Sequence, residues 1–219
     1  MNYELVIFDL DGTLVDSAPD LRLAVNGVLA EHGGAPLSLP QVRSMIGDGA
    51  AQLVTRAFAA CSITPADPQS ALDRFFALYE ADPTANTVLY DGVARVLDAM
   101  HAKEFQLAVC TNKPVAPANE ILRKLKISTY FSRVIGGDTH SFRKPDPRML
   151  TGLLDEYRVS RDAALMVGDS EVDAATANTA GVPFALMTYG YRRGAVSDIQ
   201  CHAALDHFAE LVPLVGAAP

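Results

Sequence analysis

Five short apolar runs punctuate the chain, at 5–10, 106–111, 133–136, 164–167 and 183–187. They are rich in Val, Ile, Leu and Phe and show little polar alternation, the pattern of strands covered on both faces. Residues 92–103, 117–126, 147–157 and 172–180 instead carry helical patterns. Strand–helix–strand repetition predicts a parallel sheet with right-handed crossovers, a Rossmann-like doubly wound α/β core. Ligands of such sheets gather at the carboxyl ends of the strands.

One segment breaks the rhythm. Residues 16–82 contain no strand pattern and read as successive helices at 18–32, 39–45, 49–61 and 69–79. Ser17 is placed to cap the first of these, with Pro19 in its first turn and Asp20 completing a Ser-x-x-Asp box. Breaks at "GGAP" (33–36), "TPADP" (64–68) and "ADPT" (81–84) separate the others. The pattern predicts a core formed by 1–15 and 83–219, with a small helical cap domain, 16–82, inserted after the first strand. The "GAAP" tail (216–219) is expected to fray.

Composition narrows the function. The 219 residues are 49% apolar and 20% charged, with a net charge of −8, as in an ordinary soluble globular protein. Without a basic patch, nucleic acid is not an expected partner. No apolar run approaches the roughly 18 residues of a membrane span, so no membrane partner is expected. The N-terminus enters a strand at once and lacks the regions of a signal peptide. Three widely spaced cysteines, Cys61, Cys110 and Cys201, imply reduced thiols and a cytoplasmic setting. Cys110 lies inside a strand pattern and reads as a small core residue. The five histidines have no ligand-like spacing. A monomer or small homo-oligomer is expected.

The strand ends carry the chemistry. The first run ends in Asp9 and Asp11, two residues apart and therefore on one face. The second ends in Thr111, Asn112 and Lys113, the third is followed by Lys144, and the fourth by Asp169 and Asp173. On one edge of a parallel sheet these groups should converge. Crowded carboxylates repel and normally need a cation. Oxygen-only donors suit Mg²⁺, while a hydroxyl, backbone N–H groups and a lysine would hold phosphate oxygens. Of the paired carboxylates, one can attack while the other moves a proton. Gly12 allows the sharp turn after them.

These fragments, in this order, resemble the haloacid dehalogenase superfamily. "DLDGT" (9–13) is similar to its first motif, Thr111 in "VCTN" to the second, Lys144 in "RKPDP" to the third, and "GDSEVD" (168–173) to the fourth. The resemblance implies that Asp9 is a nucleophile forming an aspartyl-phosphate and that Asp11 is the general acid and base. It implies that Thr111 and Lys144 bind the phosphoryl group. Mg²⁺ would be held by Asp9, the backbone carbonyl of Asp11, and Asp169, with Asp173 behind them. Dehalogenases of the superfamily lack the second aspartate, so Asp11 argues for phosphoryl transfer.

Within the insert, "VRSMIGDGAAQLVTRAF" (42–58) resembles the cap of phosphoglycolate phosphatases, as do "GGDTHSFRKPDP" and "CTNKP" in the core. The expected substrate is a small phosphorylated metabolite, 2-phosphoglycolate first. A sugar-phosphate or nucleotide phosphatase, a hexose phosphomutase and a non-catalytic phosphate-binding module are the alternatives. Gly47 and Gly49 either separate two insert helices or let backbone N–H groups approach a substrate. Arg56 is either a solvated helix residue or a source of positive charge for it. With Thr111 and Asn112, these three complete the candidate substrate-binding set.

Overall fold

The computed structural model describes residues 3–81 and 83–216. In chain order the strands are β1 (Leu5–Phe8), β2 (Val15–Asp16), β3 (Val88–Leu89), β4 (Gln106–Cys110), β5 (Arg133–Ile135), β6 (Ala164–Gly168), β7 (Phe184–Met187) and β8 (Ala203–Leu205). Six of them form one parallel sheet in the order β5-β4-β1-β6-β7-β8. Helices α5 (Val93–Ala102), α6 (Val115–Lys124), α7 (Arg148–Tyr157), α8 (Glu171–Ala180) and α9 (Leu211–Leu214) accompany the sheet.

Both faces of the sheet are buried, which explains the unbroken apolar runs. In β1, Val6 and Phe8 pack into one cluster with Val96, Leu97 and Ile121, while Leu5 and Ile7 pack into another with Leu150 and Leu153. The alternation repeats in β4, β6 and β7, as a period of two requires. Strand β1 is central, and its Phe8 is level with Val109 of β4 and Val167 of β6. The chain therefore leaves three adjacent strands at one height.

Between β2 and β3 lie α1 (Ala18–Glu31), α2 (Leu39–Arg43), α3 (Ala50–Ala60) and α4 (Pro68–Ala81). They bury their own cluster, including Leu21, Val25, Leu29, Leu53, Phe58 and Phe75. Apolar positions on each helix face a common interior, to which the segment after β7 adds Tyr191.

Several details differ from expectation. Strands β2 and β3 join the two stems of the insert in an antiparallel ribbon, Val15 opposite Leu89 and Asp16 opposite Val88. Two residues per strand are too few to leave a pattern, and the same brevity hid β8 at the sheet edge. Ser17 precedes α1 but makes no capping bond. Its hydroxyl donates to Asp11 at 2.5 Å. Asp20 is not its box partner either, and accepts from Asn86 and Thr87 on the returning stem. Helix α6 begins before Pro117, which sits in the first turn, where its missing N–H costs nothing. The expected insert boundary at residue 82, and the tail beyond 216, fall outside the described residues.

Candidate active site

The convergence expected at the sheet edge is present. Asp9 follows β1 and is buried, as is Lys144 in the loop before α7. Lys144 Nζ stands 2.9 Å from Asp9 Oδ1 and 2.6 Å from Asp173 Oδ1. Asp169 follows β6, where its carboxylate accepts from Thr13 Oγ1 at 2.9 Å and from the Tyr191 N–H at 2.6 Å. Asp173 sits in the first turn of α8. Its second oxygen accepts from the Ser170 hydroxyl at 2.6 Å and from the backbone N–H of Asp169 and Ser170. Ser170 is the N-cap of this helix, in a reciprocal box with Asp173.

Asp11 turns the other way. Lys113 Nζ lies 2.9 and 3.0 Å from its two oxygens, and the Ser17 hydroxyl also donates to it. Thr111 is buried, and its hydroxyl accepts the Lys113 N–H at 3.2 Å. Asn112 donates to the carbonyls of Gly47 and Lys144, both at 3.0 Å, and so links the insert to the loop that bears the lysine.

Burial dominates the electrostatics. It pushes the Asp9 carboxyl up to about 6, against the pull of Lys144 and with the Asp173 charge adding to the rise. Asp169 is raised strongly by burial, then by the charges of Asp173 and Asp9. Burial alone would lower both lysines, yet their carboxylate partners hold them above the ordinary range. At Cys110, burial lifts the thiol to about 12, so it is an inert core group.

A metal fits this donor set. Ligand oxygens of Asp9, Asp169 and Asp173 lie within 4.8 Å of one another. Three buried carboxylates against the single ammonium of Lys144 leave two negative charges, which a divalent cation would balance. Asp9 Oδ1 is also buried without a hydrogen bond, since Lys144 approaches at ion-pair distance but off the bonding direction. Hard oxygen donors of this kind suit Mg²⁺. The side chain of Asp11 lies outside the cluster, so its expected contribution is the backbone carbonyl alone.

Above the carboxylates a cavity of about 50 Å³ separates core from insert. Asp9, Asp11, Thr111, Asn112 and Lys113 line its core side, and Leu21, Ile46, Leu53, Phe75, Phe76 and Tyr79 line the other. Gly47 and Gly49 also line it, with φ of +118° and +88°, in the left-handed region that favours glycine. Arg56 departs from the reading that put it among the substrate contacts. Its guanidinium donates to the Met45 carbonyl at 2.8 Å and pairs with Asp48 at 2.5 Å, and it is not among the cavity walls. An arginine so engaged holds the loop and is not available to a ligand.

Sequence reasoning missed the stretch "TYGYRR" (188–193). Tyr191 belongs to the insert's apolar cluster although it follows β7. Its hydroxyl donates to Asp16 at 2.6 Å and accepts the Ala18 N–H at 3.0 Å. A Cβ on Gly190 would overlap the Asp169 carboxylate, so only glycine lets the chain pass there. The carboxyl-end rule pointed to this loop, since it follows a strand of the same sheet. Lys113 carried a weaker signal, being either a surface lysine or a site group, and it is buried.

Fold and site together define a hydrolase that works at the carboxyl edge of a parallel sheet, beneath a helical insert. The chain belongs to the haloacid dehalogenase-like hydrolase family, whose pattern matches residues 6–187. It is 48% identical over 217 residues to a phosphoglycolate phosphatase of Rhodospirillum rubrum, covering 96% of this chain and 90% of that protein. A phosphoglycolate phosphatase of Cereibacter sphaeroides is 45% identical over 212 residues, with 96% of both chains covered. A crystal structure described as a predicted phosphoglycolate phosphatase from Haemophilus somnus 129PT superposes with a TM-score of 0.94, at 31% identity over 98% of each chain. The protein is accordingly a phosphoric monoester hydrolase. None of its described helices is long and apolar enough to cross a membrane.

Proposed function

We propose that the protein is a Mg²⁺-dependent phosphatase that hydrolyses 2-phosphoglycolate to glycolate and phosphate in the cytoplasm. The observation that carries this reading is the small cavity directly over Asp9, walled on its far side by apolar residues of the insert. That far wall, formed by Leu21, Ile46, Leu53, Phe75 and Phe76, offers few polar partners for the hydroxyls of a hexose or the base of a nucleoside, which favours a small leaving group. The names of the relatives support the same substrate.

Asp9 and Asp169, with the Asp11 carbonyl, would hold Mg²⁺, which supplies charge neutralisation to the phosphoryl oxygens. Lys144 and Thr111 grip the same oxygens. An Asp9 carboxylate oxygen attacks phosphorus as the bond to the glycolate oxygen breaks. Asp11, lining the cavity beside it, gives a proton to the departing alkoxide. Asp11 then takes a proton from water, whose oxygen attacks phosphorus, and the bond to Asp9 breaks. Asp9 is then again a carboxylate, Asp11 again carries the proton it gives to the next leaving group, and phosphate leaves.

The insert at 16–82 serves as the cap that selects the leaving group and excludes water. Helix α3 opens at Gly49 and presents unpaired N–H groups and partial positive charge toward the cavity, where the substrate carboxylate would sit. The test compares kcat/KM for 2-phosphoglycolate, glycerol phosphate, glucose phosphates and a nucleoside monophosphate, in wild type and in Gly49→Val. A valine there must adopt a left-handed backbone and bring its Cβ to 3.3 Å from the Asn112 carbonyl. Phosphoglycolate should lead, and the substitution should reduce it more than a generic aryl phosphate. A clear lead for a hexose phosphate or nucleotide, or conversion of a hexose phosphate to its isomer, refutes the substrate assignment.

A further inference from the structure

Asp48 stands at the tip of the loop whose two glycines line the cavity, yet it does not line the cavity itself. Its carboxylate is held from two sides. Arg56 of α3 approaches at 2.5 Å, and Arg193 of the core at 2.9 Å. Burial would raise this carboxyl, but the two guanidiniums bring it below its ordinary range. Arg193 stands on a fixed base. Its own N–H and that of Gly194 donate to Glu171 at 2.9 and 2.7 Å, and its Nε lies 3.8 Å from the second Glu171 oxygen. Two residues earlier, the Tyr191 N–H binds Asp169. One stretch of core chain thus touches both the carboxylate cluster and the tip of the insert loop. Asn112 holds the same loop at the Gly47 carbonyl.

Charge adds to the geometry. Arg56, Arg193, Asp48 and Glu171 form a balanced set beside a loop that faces an anion. Losing Arg193 would free the loop tip from the core and leave an uncompensated negative charge beside the entering ligand. We propose that Arg193 is a specificity-determining positioning residue, which clamps Asp48 so that the Gly47–Gly49 backbone can receive a negatively charged leaving group. The inference rests on the substrate reading given above. It assigns Arg193 no contact with the substrate.

The test uses 2-phosphoglycolate and 2-hydroxyethyl phosphate, which differ in the presence of a carboxylate. In Arg193→Ala, kcat/KM for phosphoglycolate should fall about fivefold through KM, the scale of one partly exposed ion pair, with kcat held within about twofold. Turnover of 2-hydroxyethyl phosphate should stay within about twofold, and Arg193→Lys should recover most of the loss. The difference should shrink as salt is raised. If Arg193→Ala fails to fold, as judged by thermal unfolding, Arg193→Gln carries the same comparison. A wild type that does not favour phosphoglycolate over 2-hydroxyethyl phosphate overturns the substrate reading and this inference with it. A wild-type preference that survives loss of Arg193, or an equal fall for both substrates, overturns the inference alone.

Discussion

The two walls of the cavity are built on opposite principles. On the core side, Asp9, Asp11 and Lys113 bring charge to the wall itself, and Lys144 and Asp173 stand behind Asp9 as a buried ion-paired group. On the insert side, Leu21, Leu53, Phe75 and Phe76 offer shape and no charge. A phosphoryl group is the same in every substrate, so the wall that handles it can be fixed and polar. Leaving groups vary, so the wall that meets them must discriminate by volume and by a few backbone donors. Substitutions in the core should therefore depress all substrates alike, and substitutions in the insert should reorder them.

Asp9→Asn is the severest test of the first half of that contrast. It keeps the shape and removes the attacking charge, so turnover of every substrate should fall by at least about 10³-fold. Circular dichroism should remain that of the wild type. A folded variant with near wild-type turnover would falsify the nucleophile assignment.

Exhaustive chelation should follow closely, removing all but about 1% of activity irrespective of substrate. Mg²⁺ should restore it and Ca²⁺ should do so poorly, because Ca²⁺ prefers more ligands and looser geometry. Full activity in EDTA would show that the carboxylate cluster works without a cation.

Lys144→Met separates stability from chemistry. The substitution leaves Asp9 and Asp173 buried without their ammonium partner, a loss of about 3–5 kcal/mol by the usual cost of breaking a buried pair. Urea unfolding in Mg²⁺-free buffer measures it. An unchanged midpoint would mean that the buried charges do not depend on the lysine.

The smallest effect is expected where the two walls meet. Tyr191→Phe keeps the ring in the insert's cluster and the N–H on Asp169, but orphans the Ala18 N–H and one contact of Asp16. A stability loss of about 1–3 kcal/mol is expected, read from the same denaturation curves. No loss would show that the hydroxyl does not join the two parts.

Much of this was legible in the sequence, for reasons specific to each part. Strands β1, β4, β6 and β7 are buried on both faces and so leave continuous apolar runs. Asp9, Thr111, Lys144 and Asp169 were legible as a set because parallel topology sends every carboxyl end to one edge. What stayed hidden depends on partners distant in the chain. Ser17 has the form of a helix cap, and only the fold reveals Asp11 as its partner. Arg56 carries the right charge, but Asp48 claims it. Tyr191 reads as an ordinary aromatic until Asp16, 175 positions away, is brought against it.

The ribbon of Val15–Asp16 against Val88–Leu89 has a consequence for modularity. Chain enters and leaves the insert side by side, at the separation of paired strands, roughly 5 Å between opposed Cα atoms. A tight turn of two residues spans that gap as well as the four helices do. The paired stems would therefore let the helices between them be exchanged as one cassette. A helical unit spliced between Asp16 and Val88 leaves Asp16 in place as acceptor for the Tyr191 hydroxyl, and must itself replace the contacts that Ser17 makes with Asp11, Ala18 with Tyr191 and Gly47 with Asn112. Diversification of such a scaffold would need recombination at two adjacent points, together with the few contacts by which the insert steadies Asp11 and Asn112.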